Sequence, residues 1–235
     1  MFNFLNPGNL FVTLNKTSKF FKAIILPLII VSLVFALFKS PEDYIQGNTV
    51  RIMYVHVPSS WIALSCFSAI SLFSILNFLF KIKNALILFK SLAPIGLAFC
   101  LISIVTGSIW GQPTWGTFWA WDARLTSMLV LLFFYILIIF SYKFINDLKM
   151  SSKVCAIISA LGIINLFIVK YSVDFWSTLH QPASIKVFGN TSIHKSMLLP
   201  LLSMLLVFLV YCALIFLMKY RTEIIRMKKK GLKRL

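Results

Sequence analysis

Six uninterrupted apolar stretches, at about 20–38, 57–80, 86–109, 125–142, 154–171 and 196–218, leave this chain few ways to fold. Each is long enough for a helix to cross a hydrocarbon core of roughly 30 Å. They are continuous, without the in-and-out alternation that a membrane barrel requires. With 60% hydrophobic and only 12% charged residues, the chain is not an ordinary soluble domain. The first stretch is followed by Lys39-Ser40-Pro41-Glu42-Asp43 rather than by a small-residue cleavage site, so it reads as a retained span and not as a signal peptide. The expectation is an all-α integral membrane protein, residues 1–235 forming a single six-helix membrane domain without internal repeats.

The net charge of +17 would suggest nucleic acid in a soluble protein. Here the basic residues divide between alternate loops. Seventeen of the 23 fall on one side: Lys16, Lys19 and Lys22; Lys81, Lys83 and Lys90; Lys143, Lys149 and Lys153; and eight from Lys219 to Arg234. Lys39, Arg51, Arg124, Lys170, Lys186 and Lys195 fall on the other. By the positive-inside rule the first set is cytoplasmic, which puts both termini in the cytoplasm. The run Arg226-Met227-Lys228-Lys229-Lys230 then reads as a topology signal and an anionic-lipid contact, with no nucleic-acid partner.

Some chemistries have no motif here. Cys66, Cys100, Cys155 and Cys212 all fall within spans, and no two form C-x-x-C. There is no G-x-x-x-x-G-K-[ST] phosphate loop, so any ATP use belongs to a partner.

The outer side carries the unusual residues: all three histidines, five of the six tryptophans, and Glu42, Asp43, Asp122 and Asp174. Trp110, Trp115, Trp119 and Trp121 crowd into one segment, in which Gly111, Pro113 and Gly116 are expected to break the helix and leave a Trp-rich outer loop. Such a loop is either an interfacial anchor or a platform for a flat, apolar ligand. Four indoles within twelve residues are denser than an aromatic belt, which spreads its rings around the perimeter, and this favours the platform. Pro58 suits the first turn of the second span, which would place His56 just before the helix. Asp122 is suited to cap the fourth span. Trp176 and His180 would share a face if the fifth helix continued that far. His56 and His180 flank the tryptophan segment in sequence, an arrangement suited to a metalloporphyrin with one imidazole on each face of the iron. His194 ranks third as a ligand. Arg51 and Arg124 could pair with carboxylates such as propionates, and Arg124 could equally pair with Asp122.

Three motifs carry a family resemblance. Trp110-Gly111-x-Pro113-x-Trp115-Gly116-Thr117-x-Trp119-x-Trp121-Asp122-x-Arg124-Leu125-Thr126-Ser127, residues 110–127, resembles the "WWD" signature of haem-handling proteins in cytochrome c biogenesis. Gly47-Asn48-x-x-Arg51-Ile52-x-Tyr54-x-His56-Val57-Pro58 and Tyr171-Ser172-Val173-x-x-Trp176-x-Thr178-Leu179-His180-Gln181 are similar to the haem exporter protein C family, also called cytochrome c maturation protein C. The likeness spans about residues 41–182.

The resemblance implies a protein of the bacterial inner membrane, or of the mitochondrial one in an organelle. It implies that haem b is held on the WWD surface at the outer face, with His56 and His180 as axial iron ligands. Trp110, Trp115, Trp119, Trp121, Asp122, Arg124 and Arg51 complete the implied binding set. The haem is presented for covalent attachment, through a vinyl group, to a histidine of the periplasmic haem chaperone, maturation protein E. The implied partners are an ABC-type ATPase subunit, a second membrane subunit and a small single-span subunit. In this reading the chain is a haem-lyase-like assembly factor rather than an enzyme with free turnover. The competing readings are an ABC-type permease subunit moving haem or another substrate, with the tryptophans as anchors, and a structural subunit without a ligand.

Overall fold

The apolar stretches fold as six helices, the first of them completed by a π-helical turn over Phe35–Lys39. A computed structural model describes residues 7–80, 85–181, 185 and 192–232. The helices are α1 (Pro7–Val34), α2 (Met53–Phe80), α3 (Ala85–Trp115), α4 (Ala123–Phe144), α5 (Leu148–Phe175) and α6 (Lys195–Leu232). Among the described residues, six helical segments are long and apolar enough to cross a membrane. Among the described residues there is no strand, only an isolated bridge between Asp43 and Gly47. The protein is an all-α membrane protein, as expected.

Three helix ends differ from the expected ones, and each bears on function. The 3-10 turn Asn48–Ile52 runs directly into α2, so His56 lies in the first turn of that helix and not before it, with Pro58 inside. Helix α3 continues through Gly111 and Pro113 to Trp115, so Trp110 and Trp115 are helical rather than in a loop. So near the C-terminus, few backbone bonds remain for the proline to disrupt. What stops α3 is Gly116, whose φ of 76° is left-handed and whose N–H bonds back to the Gln112 carbonyl at 3.0 Å. Helix α5 ends at Phe175. Trp176 is extended (φ −128°, ψ 152°), so the shared helical face of Trp176 and His180 does not form.

Helix α2 sits centrally, against α3, α5 and α6, while α4 joins α3 to α5 and α1 packs chiefly on α6. The core is built from Phe67, Ile70, Phe89, Cys100, Leu131, Tyr135 and Ile138. Tyr135 ties three helices together. Its hydroxyl donates to the Ala63 carbonyl of α2 at 2.6 Å, and its ring lies so close over Gly96 of α3 that a Cβ there would overlap it. Asn165 of α5 donates to the Ser127 carbonyl of α4 at 2.9 Å, and Ser71 of α2 to the Ser159 carbonyl of α5 at 3.0 Å. At the opposite end from His56, Glu223 of α6 pairs with Lys90 of α3 at 3.9 Å and with Arg226 at 2.6 Å.

We propose, from the positive-inside rule, that the end of the bundle carrying Lys149 faces the cytoplasm and that the connection between α3 and α4 faces outward. A cysteine at Phe118, an exposed position between α3 and α4, should react with a membrane-impermeant maleimide in intact cells. One at Lys149, at the start of α5, should react only after permeabilisation. Reversed labelling overturns the orientation.

Candidate functional site

Where α2 and α4 begin and α3 and α5 finish, the helices part around a partly open cleft. Its lining brings together His56 and Ser60 of α2, Ser103, Gly107 and Ser108 of α3, Arg124, Leu125 and Met128 of α4, and Val169 of α5. Trp119 and His180 enter from the two connections.

One face of α3 cradles His56. Residues 103, 106, 107 and 110 follow the helical i, i+3, i+4, i+7 spacing and all meet the imidazole. The Ser103 carbonyl lies 2.9 Å from Nδ1, and the Thr106 hydroxyl 3.3 Å. A carbonyl only accepts, so Nδ1 carries the proton and Nε2 keeps its lone pair. Gly107 passes so close to the ring that a Cβ there would sit 2.7 Å from Cε1. Trp110 meets the imidazole edge-on at 5.8 Å between centroids. Its indole N–H donates in turn to Gln46 Oε1 at 2.9 Å. Gln46 is set by a turn in which Asp43 Oδ1 accepts from the N–H groups of Ile45 and Gln46.

His180 approaches from a non-helical segment. Its backbone N–H reaches the Thr178 hydroxyl at 3.2 Å, and its ring packs on Trp115 at 4.8 Å. Burial, and next the Arg124 guanidinium, push its pKa down to about 4, so the ring is neutral at pH 7. Among the described residues its buried Nδ1 has no hydrogen-bond partner, and neither does the Trp119 indole N–H. Trp119 packs edge-on against Trp121 at 5.6 Å, and Trp121 is itself exposed.

The remaining candidates separate. Arg124 lines the cleft, and among the described residues it forms no ion pair with Asp122. Asp122 caps α4 as expected, Oδ1 accepting from Leu125 N–H at 2.8 Å, and does not line the cleft. Arg51 does not line it either; its Nη2 reaches the Ser40 carbonyl at 3.5 Å. His194 stands at the start of α6, where its carbonyl accepts from Met197 N–H and its Nδ1 meets the Ser196 hydroxyl at 2.6 Å. It is exposed and away from the cleft.

Comparison with known sequences bears on a cleft of this kind. The sequence profile of heme exporter protein C matches residues 1–234. The chain belongs to the heme exporter protein C family. It is 39% identical over 206 residues to heme exporter protein C of Bradyrhizobium diazoefficiens, covering 86% of this chain and 78% of that one. It is 38% identical over 211 residues to heme exporter protein C of Haemophilus influenzae, covering 90% and 86%. A putative cytochrome c biosynthesis ccmC-like mitochondrial protein of Marchantia polymorpha is 42% identical over 187 residues, covering 80% and 76%.

Within this member of the heme exporter protein C family, three residues that set His56 or its neighbour Trp110 had no mark in the sequence. Ser103 acts through its backbone, Gly107 through the absence of a side chain, and Gln46 through a contact 64 residues away. Only the spacing of 103, 107 and 110, read against a known partner at 56, would have pointed to them.

Gly107→Ala should therefore destabilise out of proportion to its size. Overpacking a filled site costs about 1–3 kcal/mol, and each kcal/mol lowers Tm by roughly 2–4 °C in a chain of this length. Ser108→Ala, beside it on the cleft wall, should leave Tm almost unchanged. Thermal unfolding of the two variants in detergent, compared with the parent chain, provides the check.

Proposed function

We propose that this chain holds haem b in the cleft at the outer face of an inner membrane, bacterial or mitochondrial, and presents it to a periplasmic haem chaperone for covalent attachment. The observation that carries the reading is the meeting of His56, His180, Trp119 and Arg124 on one cleft. These residues fit the group. His56 offers an Nε2 lone pair fixed by the Ser103 carbonyl, and His180 is a neutral imidazole lining the same cleft. Arg124 is a cation beside the cleft with no ion pair among the described residues, suited to a propionate. Leu125, Met128 and Val169 supply apolar surface.

Each part of the chain has a role in presentation. The α2–α3 contact fixes one imidazole, and the segment after α5 brings the other. Trp115 backs His180, and Trp119 with Trp121 shields one edge of the cleft. Haem supplies a Lewis-acidic iron for the two imidazoles and a vinyl group for the attachment. The exposed rings of Phe118 and Trp121 leave an apolar rim where the chaperone approaches. An ABC-type ATPase, a second membrane subunit and a small single-span subunit surround the chain, which itself folds as one domain. Arg51, the Asp122 carboxylate and Trp110 act from outside the cleft by shaping its walls.

The heme exporter proteins and the cytochrome c biosynthesis protein among its relatives are consistent with this chemistry by their names. His56→Ala and His180→Ala should each weaken haem retention and convert a six-coordinate absorption spectrum to a five-coordinate one. Added imidazole should partly restore it, and His194→Ala should change little. Equal loss for all three, or no loss for the first two, overturns the ligand assignment. Replacing Trp115, Trp119 and Trp121 together with Phe keeps interfacial affinity but removes indole area and N–H donors. The amount of haem–chaperone adduct should fall at unchanged membrane levels of the variant; normal adduct removes the platform reading.

A further inference from the structure

The two histidines are not held alike. His56 has a hydrogen-bond partner on a helix packed against its own, whereas among the described residues the buried Nδ1 of His180 has none. A neutral imidazole that gives Nε2 to a metal must carry its proton on Nδ1, and a buried N–H without an acceptor is costly. An acceptor close at hand is Asp122, whose Oδ2 lies 3.9 Å from His180 Nδ1, too far for a hydrogen bond but within a small shift of one.

The other contacts of Asp122 define what it does there. Its Oδ1 caps α4 through Leu125 N–H at 2.8 Å, and its Oδ2 accepts from Leu179 N–H at 3.2 Å, the residue preceding His180 in the chain. One carboxylate therefore fastens the ligand-bearing segment to the end of a membrane helix. The carboxylate itself is mostly shielded from solvent, so these contacts are not diluted by water.

We propose that Asp122 is a positioning residue for His180: Oδ1 stays on α4, while Oδ2 accepts a hydrogen bond from Nδ1–H when Nε2 faces the iron and so fixes both ring and tautomer. Asp122 then stands outside the haem contacts and acts through His180. This inference rests on the haem reading above. Losing a second-layer partner of a metal-bound histidine weakens affinity about 10- to 100-fold.

The test uses the full-length chain in detergent, titrated with haem, and the variants Asp122→Asn and Asp122→Ser. Both retain an oxygen to cap α4, and neither offers a second acceptor to His180 and Leu179. In the haem-free protein, the Leu179 amide should exchange faster in both variants while the Leu125 amide stays protected. With haem, both should retain it about 10- to 100-fold less well and shift toward the five-coordinate spectrum. Added imidazole should restore them as it restores His180→Ala. The double variant His180→Ala, Asp122→Asn should be no worse than His180→Ala alone. A wild-type spectrum and affinity in Asp122→Asn overturn the proposal, as does a double variant clearly weaker than His180→Ala. If haem fails to bind the wild-type chain, the haem reading falls instead, and with it the role given to Asp122.

Discussion

Inside a hydrocarbon layer a hydroxyl, an amide or an imidazole N–H cannot turn to water, so each must find its partner within the protein. Most hydroxyls here solve this locally. Ser18, Ser59, Ser74, Ser91, Thr106 and Ser141 each donate to the carbonyl four residues back in their own helix. The few groups that reach across instead join the bundle. Tyr135 ties α4 to α2, Asn165 ties α5 to α4, and Ser71 ties α2 to α5. His56 belongs to this second group, since its bond to the Ser103 carbonyl joins α2 to α3. The geometry of the site is thus one instance of the rule that assembles the helices.

Much of the architecture could be read directly, because spanning a membrane leaves so strong a mark on composition. The six apolar runs each became a helix, and the charge at Asp122 became the α4 cap. Helix ends were harder. Gly111 and Pro113 looked like breakers, but a residue is a breaker only where helix remains to be broken, and α3 was already close to its end. Gly116, one residue beyond Trp115, ended it through a backbone angle rather than through its composition.

The site was partly legible too. His56, His180, Trp119 and Arg124 stood out as polar or aromatic residues in an apolar chain, and they line one cleft. Arg51 stood out for the same reason, yet it lies in the 3-10 turn before α2, alongside Ser40, rather than facing the cleft. Residue type alone could not separate the two arginines, because the distinction is one of direction around a helix start. His194 illustrates the same point: an imidazole near a span, engaged in opening α6. The backbone carbonyl of Ser103 and the bare Cα of Gly107 have no side-chain signature at all.

The Ser103 contact carries a consequence for how such a protein can change over time. A partner that is a main-chain carbonyl is present whatever side chain occupies the position, so drift at residue 103 cannot strip His56 of its acceptor. It survives as long as α3 keeps its register against α2. That register depends on Gly107, where any larger side chain meets the imidazole. Heritable variation can therefore reach the tautomer of His56 only through helix spacing, and the position most exposed to that route is occupied by the residue with nothing left to lose.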